Sequence, residues 1–479
     1  MWLFSAHKLS PDEQRVKLMH ATWNNSYAGL PEQMFARQTP TPVDAPAGLV
    51  LNTELADELG IKFGKDWPEF IAGNQVSKGA DPIAQAYAGH QFGHWNPQLG
   101  DGRAVLLGEI LSNLGRVDIQ LKGSGRTPWS RGGDGRAWYG PVLREYLISE
   151  SMHALGIPTT RALAAAATGE NIQREPGPLP GAVICRTASS HIRVGTFQYF
   201  ASRNDIEALQ ALLDHAISRH CPKAKNTEDF LKIAVAAQAR LIAQWMGVGF
   251  IHGVMNTDNS HVGGITIDYG PCAFMDDFVP TKVFSSIDHQ GRYGYNNQPN
   301  LAAWNMAQLA TALLPLANDT DAAIEKYTKI VQGFSGLFEV EYAKVFSKKI
   351  GLKPSFESAK LIKKLLGMMD QTGADFTQSF RALGSDEILR HIGEHPDFGS
   401  WHDNWSQTAN LENLNQVNPA MIARNHLVES MITQSVAGDI QPFHDLNAAL
   451  KSPFITPQNP DFIAVPNANA VVHQTFCGT

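Results

Sequence analysis

The chain reads as an α+β protein of two lobes, a mixed α/β lobe followed by a mainly helical one. Three observations predict this. Up to about residue 200, short apolar–polar alternations are bounded by glycine and proline, the pattern of strands and tight turns. From Asn204 onward apolar residues recur at three- and four-residue spacing, the pattern of helices packed on a core. The 479 residues, 43% hydrophobic and 18% charged, suffice for two to four domain-sized units with a large core.

Taken in order, residues 1–100 read as a loop-rich extension wrapping the first lobe, because TPTPVDAPA (39–47) removes backbone donors and restricts its neighbours. Within it, NTELADELG predicts a short helix with Asn52 as N-cap and Gly60 as C-cap. The first lobe spans 101–200. Gly100-Asp101-Gly102 has hairpin-turn chemistry, 104–110 a strand composition, and 117–122 (VDIQLK) alternates so that Lys122 shares a face with Gln120 and Asp118. After the loop GSGRTPWSRGGDGRA, residues 141–155 have helical spacing and carry Glu145. A strand pair follows at 159–166 and 181–188. The helical lobe spans 201–445, with helices predicted at 205–219, 227–247, 301–317, 320–349, 356–371, 374–383, 385–392 and 418–437. A C-terminal tail, 446–479, completes the chain.

Bulk properties exclude several classes. A net charge of −7 argues against a general nucleic-acid binder. No run of about 18 apolar residues occurs, the longest candidate (235–255) being interrupted by Arg240, so no membrane span is expected. MWLFSAHKLSPDEQ lacks a basic region leading into an apolar core, so no secretory signal is expected and the cytoplasm is the expected location. Histidines are plentiful, but no HExxH or CxxC spacing points to zinc.

The chemistry concentrates in GFIHGVMNTDNSHVGGITIDYG (249–270), where a predicted strand, ITID, ends in Asp268-Tyr269-Gly270. Protein kinases hold metal with H-R-D-x-x-x-x-N and, after a strand, D-F-G. His252 and Asn259 keep the His-to-Asn spacing and Asp268 stands where the D-F-G aspartate would, but the catalytic aspartate's position holds Val254. A valine accepts no proton. Lys122 on a strand, Glu145 on a helix, then Asn259 and Asp268 follow the order of the kinase parts that reach phosphate, fix the lysine and hold metal. Arginines crowd the first lobe (Arg103, Arg126, Arg131, Arg136, Arg186 and Arg193), and guanidinium forks bond phosphate oxygens bidentately. The glycine-rich loop follows Lys122 rather than preceding it, which is unlike a kinase.

NNSYAGLPE, AYAGHQFG with PQLGDGRA, QLKGSGRTPWSRGGDGRA, SHIRVGTFQYF, HGVMNTDN, DYGP and NPAMIARNHL resemble signatures of the selenoprotein O family over nearly the whole chain. The resemblance implies a protein-kinase-like fold that binds ATP in a flipped orientation and transfers AMP to Ser, Thr or Tyr hydroxyls of proteins, releasing pyrophosphate. Carried over, Lys122, Arg186 and Arg193 would contact phosphates, and Gly100, Gly102, Arg103, Asp134 and Gly135 would line the nucleotide pocket. Glu145 would pair with Lys122, Asn259 and Asp268 would bind Mg²⁺ or Mn²⁺, and Asp258 would be the proton acceptor. Ser260-His261-Val262-Gly263, Arg126 and Trp129 depart from the family pattern but leave every such residue in place.

Cys477, third from the C-terminus, matches the position where eukaryotic relatives carry selenocysteine, so the chain resembles a Cys-containing bacterial-type member. The family likeness also implies a Cys272–Cys477 disulfide and redox-sensitive activity; two reduced thiols are the alternative in a reducing cytosol. The expected partners are protein substrates, with the chain itself a monomer. Three other functions compete with AMP transfer: UMP transfer with Mn²⁺, phosphoryl transfer with Asp258 as base, and a non-catalytic ATP-binding scaffold.

Overall fold

The computed structural model describes residues 21–175 and 177–476. The N-terminal stretch considered for targeting signals, and Cys477, lie outside the described residues. The chain divides into two compact units, one built from residues 21–85, Gly100–Val142 and Ala162–Ser190, the other from Ala86–Leu99, Leu143–Arg161 and His191 onward.

The first unit is organised on an eight-stranded sheet. Its strands run in the order Phe35–Arg37, Ile83–Gln85, Ala104–Ser112, Gly115–Lys122, Gly177–Ala188, Arg161–Arg174 and Ala47–Leu51, with Ala137–Trp138 pairing to Gly177–Ala188 off this path. Alternation along VDIQLK does what the sequence predicts. Val117, Ile119 and Leu121 enter a core with Val105, Leu107, Val183 and Cys185, and the short helices Thr53–Glu58 and Trp67–Ile71 add Leu55, Phe70 and Ile71 to it. Asn52 caps the first of these helices, its side chain accepting from Leu55 N at 3.2 Å, and Gly60 follows the helix in the left-handed region at φ 69°.

The expected hairpin turn at Gly100–Gly102 does not form. The strands Ala104–Ser112 and Gly115–Lys122 turn at Asn113-Leu114 instead, with Ser112 opposite Gly115. Asp101 serves packing rather than turning, since its carboxylate is buried and accepts from Gln85 N at 3.1 Å.

The second unit is mainly helical. Thr227–Gly247 runs through it and packs on Gln298–Leu313, Thr320–Gln332 and Phe334–Lys349. Side-chain caps start many of the helices: Asp205 accepts from Ala208 N, Asn226 from Asp229 N, Asp319 from Ala322 N and Asp375 from Gln378 N. The helix predicted over 320–349 is two, divided at Gly333, a residue of weak helical preference. Val194–Ala201, Phe398–Ser406 and Gln441–Leu450 are helices that the sequence pattern did not predict. The predicted strand ITID is not a strand. Thr266 makes one isolated parallel bridge to Thr159, and Asp268 turns the backbone into the left-handed region at φ 63°, which ends any extended pairing. No helix among the described residues is long and apolar enough to cross a membrane.

Candidate active site

In the first unit, sheet register assembles one group of the predicted residues. Lys122 ends its strand half-buried, opposite Ala104 on one side and Ile184 on the other. Arg186 lies opposite Gln120 and is 2% exposed. Its Nε donates to Gln120 Oε1 at 2.7 Å, while Gln120 Nε2 donates to Asp101 Oδ2 at 3.2 Å. Gln120 and Asp101 therefore orient Arg186, a role that neither spacing nor family likeness assigned to them.

Glycine is required beside this network. A Cβ at Gly100 (φ 69°) would lie 2.2 Å from the Trp129 ring, and one at Gly135 (φ 69°) would lie 2.1 Å from Gly125 O. Trp129 and Ser130 cover Gly100-Asp101-Gly102, Ser130 Oγ donating to Gly102 O. Arg103 O accepts from Gly123 N at 2.7 Å. Asp134 is exposed and ion-paired with Arg174 at 2.7 Å. Partial burial works against its ionised form, but the Arg174 hydrogen bond, the Arg136 amide and both guanidinium charges outweigh it and lower the carboxyl's pKa. Arg136 is engaged structurally, donating to Thr41 O and Pro42 O.

In the second unit, loops rather than strands hold the chemistry. Thr257–Asn259 forms one 3₁₀ turn, placing Asp258 8% exposed and Asn259 half-buried. Asn259 Nδ2 donates to Val254 O at 3.1 Å, which fixes the amide and leaves its oxygen for another partner. Val254, at the position of the kinase catalytic aspartate, is buried. His252 is buried, stacks on Trp245 and contacts Ile267 O through Nε2 at 2.9 Å, tying the loop to the residue before Asp268. Burial lowers the His252 pKa, so the ring is neutral and Nε2–H is the donor.

Arg193 caps Val194–Ala201 at 1% exposure. It lies over the Tyr87 ring at 4.5 Å and reaches Asp268 Oδ2 at 3.6 Å. Its neighbour Val194 N donates to Ser260 O, so the arginine is anchored beside the metal-type loop. Glu145 is buried in Tyr139–Ala154, in the part of that helix belonging to this unit.

Asp258 faces a hairpin, Gly89–Gln91 paired with His94–Asn96. Gln91 Nε2 donates to Asp258 Oδ2 at 3.0 Å, whereas Asp258 Oδ1, also buried, has no hydrogen-bond partner among the described residues. Burial is the main reason its pKa is pushed up to about 6; Asp268 adds to this, while Gln91 and Arg193 oppose it. Such a carboxylate is ionised at pH 7 yet basic enough to take a proton.

The chemistry of the donors suits a hard divalent cation. Asn259 and Asp268 offer an amide oxygen and a carboxylate, ligands of Mg²⁺ and Mn²⁺ rather than of softer metals. No group of three or more His, Cys, Asp or Glu able to enclose a metal exists among the described residues.

The family model for the protein adenylyltransferase SelO matches residues 17–451. The chain belongs to that family. It is 53% identical over 475 residues to the protein nucleotidyltransferase YdiU of Jannaschia sp. (strain CCS1), covering 95% of this chain and 99% of the relative. The namesake from Ruegeria pomeroyi (strain ATCC 700808 / DSM 15171 / DSS-3) is 52% identical over 467 residues, with the same coverage. As a member, the chain is an enzyme of the nucleotidyltransferase class.

Proposed function

We propose that this chain transfers AMP from ATP to Ser, Thr or Tyr hydroxyls of proteins with the help of Mg²⁺ or Mn²⁺. The observation that carries the reading is the exchange of Val254 for Asp258: the kinase base position is apolar and buried, while a buried carboxylate four residues on keeps one oxygen unpartnered among the described residues. In the reaction the target hydroxyl loses its proton to Asp258 and its oxygen bonds the α-phosphorus. The bond from that phosphorus to the β-bridging oxygen breaks, and pyrophosphate leaves with the electron pair. Lys122, Arg186 and Arg193 are assigned to phosphate oxygens, as the family likeness implies. Gly100, Gly102, Arg103, Asp134 and Gly135 are assigned to the nucleotide. Asn259 and Asp268 would hold the cation, which supplies neutralisation of phosphate charge. Glu145 is assigned a supporting role to the phosphate-binding cations.

ATP labelled at the α- or the γ-phosphate, and α-labelled UTP, are each incubated with the enzyme, soluble protein and Mg²⁺ or Mn²⁺. Protein labelled from α-ATP is the expected result. Label from γ-ATP alone would make the chain a kinase, label from UTP in preference to ATP a uridylyltransferase, and none a scaffold.

The same reading includes the redox link. Thr475 N donates to Phe284 O and Thr475 Oγ1 donates to Pro271 O at 2.5 Å, so the chain two residues before Cys477 is seated beside the residue preceding the buried Cys272. Thiol titration with and without reductant tests the bridge. A gain of two thiols, mapped to 272 and 477, is expected, and an unchanged count would remove it.

A further inference from the structure

The hairpin Gly89–Asn96 grips three consecutive residues of the loop that carries Asp258. His90 N donates to Thr257 Oγ1 at 2.7 Å, Gln91 Nε2 to Asp258 Oδ2 at 3.0 Å, and Phe92 N to Asn256 Oδ1 at 3.1 Å. Tyr293 OH also donates to Asn256 Oδ1 and accepts from Phe92 N at 3.2 Å, closing the clamp. The turn holds Phe92 at φ 52° and Gly93 at φ 82°. A two-residue hairpin loop with both central φ positive is the primed type, and a phenylalanine there costs about 1 kcal/mol. The hairpin accepts that conformation where its amide meets Asn256 and Tyr293.

The approach is close on every side. A Cβ on Gly89 would lie 3.0 Å from Asp258 Oδ1, and one on Gly195 would lie 2.1 Å from Ala88 O. A carboxylate free to rotate presents either oxygen to an incoming hydroxyl. Here one oxygen is held by an amide N–H and the other is buried without a partner among the described residues.

We propose that Gln91 is a positioning residue for nucleotidyl transfer: by donating to Asp258 Oδ2 it fixes the orientation of the carboxylate that takes the hydroxyl proton. The inference rests on the assignment of Asp258 as proton acceptor. Gln91 makes no contact with nucleotide in this scheme, so its loss acts on turnover and spares ATP binding.

The test compares wild type, Gln91→Met, Gly89→Ala, Asp258→Asn and the Gln91→Met/Asp258→Asn pair. Each is assayed for label fixed into soluble protein from α-labelled ATP, with thermal midpoint and ATP affinity measured in parallel. Methionine keeps the side chain's length and removes the donor. Gln91→Met is expected to lower kcat roughly 10- to 100-fold with KM for ATP within about twofold, the loss of one hydrogen bond to a charged group. Gly89→Ala, which crowds Oδ1 without touching Gln91, is expected to lower kcat in the same way. In the Asp258→Asn background, Gln91→Met should add no further loss, because residues acting as one unit are non-additive. Undiminished kcat in Gln91→Met, or full additivity in the pair, would overturn the proposal while leaving Asp258 as acceptor. Undiminished transfer by Asp258→Asn would remove the acceptor assignment and the proposal together. Rescue of Gln91→Met by stabilising solutes would assign Gln91 to folding alone and also overturn it.

Discussion

Arg186 and Asp258 are both buried charged groups, and they are held by opposite means. Arg186 sits on a strand, and its orienting partner Gln120 is the residue opposite it in the sheet register. Asp258 sits in a single 3₁₀ turn, and its orienting partner arrives on a hairpin 167 residues earlier in the chain. A ladder of backbone hydrogen bonds fixes the first group's backbone and brings its side-chain partner opposite it. The second has no ladder, so side-chain bonds from distant segments hold it in place. Sheet-borne groups should therefore couple function to stability, and loop-borne groups should separate the two.

The largest expected effect is at the loop. On the proposed reading, Asp268→Ala should abolish label transfer from α-labelled ATP, a loss of at least about 10³-fold, because the carboxylate assigned to the cation and the charge facing Arg193 both disappear. The thermal midpoint should fall as well, because alanine takes the left-handed backbone poorly and the buried Arg193 loses its facing charge. Asp268→Asn keeps the backbone tolerance and should lose transfer with a smaller fall; collapse of the fold in that variant would break the comparison. At the sheet, Gln120→Leu should lower stability by about 2–4 kcal/mol and weaken ATP binding along with it. It strips a partner from both a buried guanidinium and the buried Asp101 carboxylate. Unaltered chemical denaturation in Gln120→Leu would show that the network is not structural.

A third buried charge belongs to neither cluster. Lys349 is buried against the rings of Phe376 and Phe380, 5.5 and 4.2 Å away, and burial lowers its pKa to about 7. The unfolded chain keeps that proton up to about pH 10.4. Unfolding therefore takes up a proton between about pH 7 and 10, and this group's contribution makes the fold more stable as pH rises through that window. Lys349→Met should stabilise by on the order of 2–4 kcal/mol at pH 7, with the gain fading toward about pH 10 and activity unchanged. A gain independent of pH would mean that packing, not charge, is the cause. Smallest of all, Asn52→Ala should cost about 1 kcal/mol through its lost cap and leave transfer intact.

The same contrast explains what is legible in the sequence. Alternation in VDIQLK places Gln120 and Lys122 on one face, and Asn52, with Gly60 behind it, marks a helix correctly, because these signals are local. Asn259 and Asp268 can be picked out by kinase-like spacing, and Asp258 by family likeness alone. Gln91 cannot be given its role: nothing within the string AYAGHQFG says that its amide meets a carboxylate far along the chain. Ile265–Asp268 departs from expectation because its β-branched composition favours a strand, while Asp268 takes a left-handed backbone that composition does not announce. Gly100-Asp101-Gly102 carries turn residues, but their small size serves close packing under Trp129.

The separation of Gln91 from Asp258 also bears on how the enzyme comes into being. A ribosome adding about 5–20 residues per second would release the Gly89–Asn96 hairpin roughly 10–30 s before the segment it must grip. A chain that ends before residue 256 thus carries a hairpin with nothing to grip. On the proposed reading, transfer at full rate waits until these two distant pieces of the polypeptide have met.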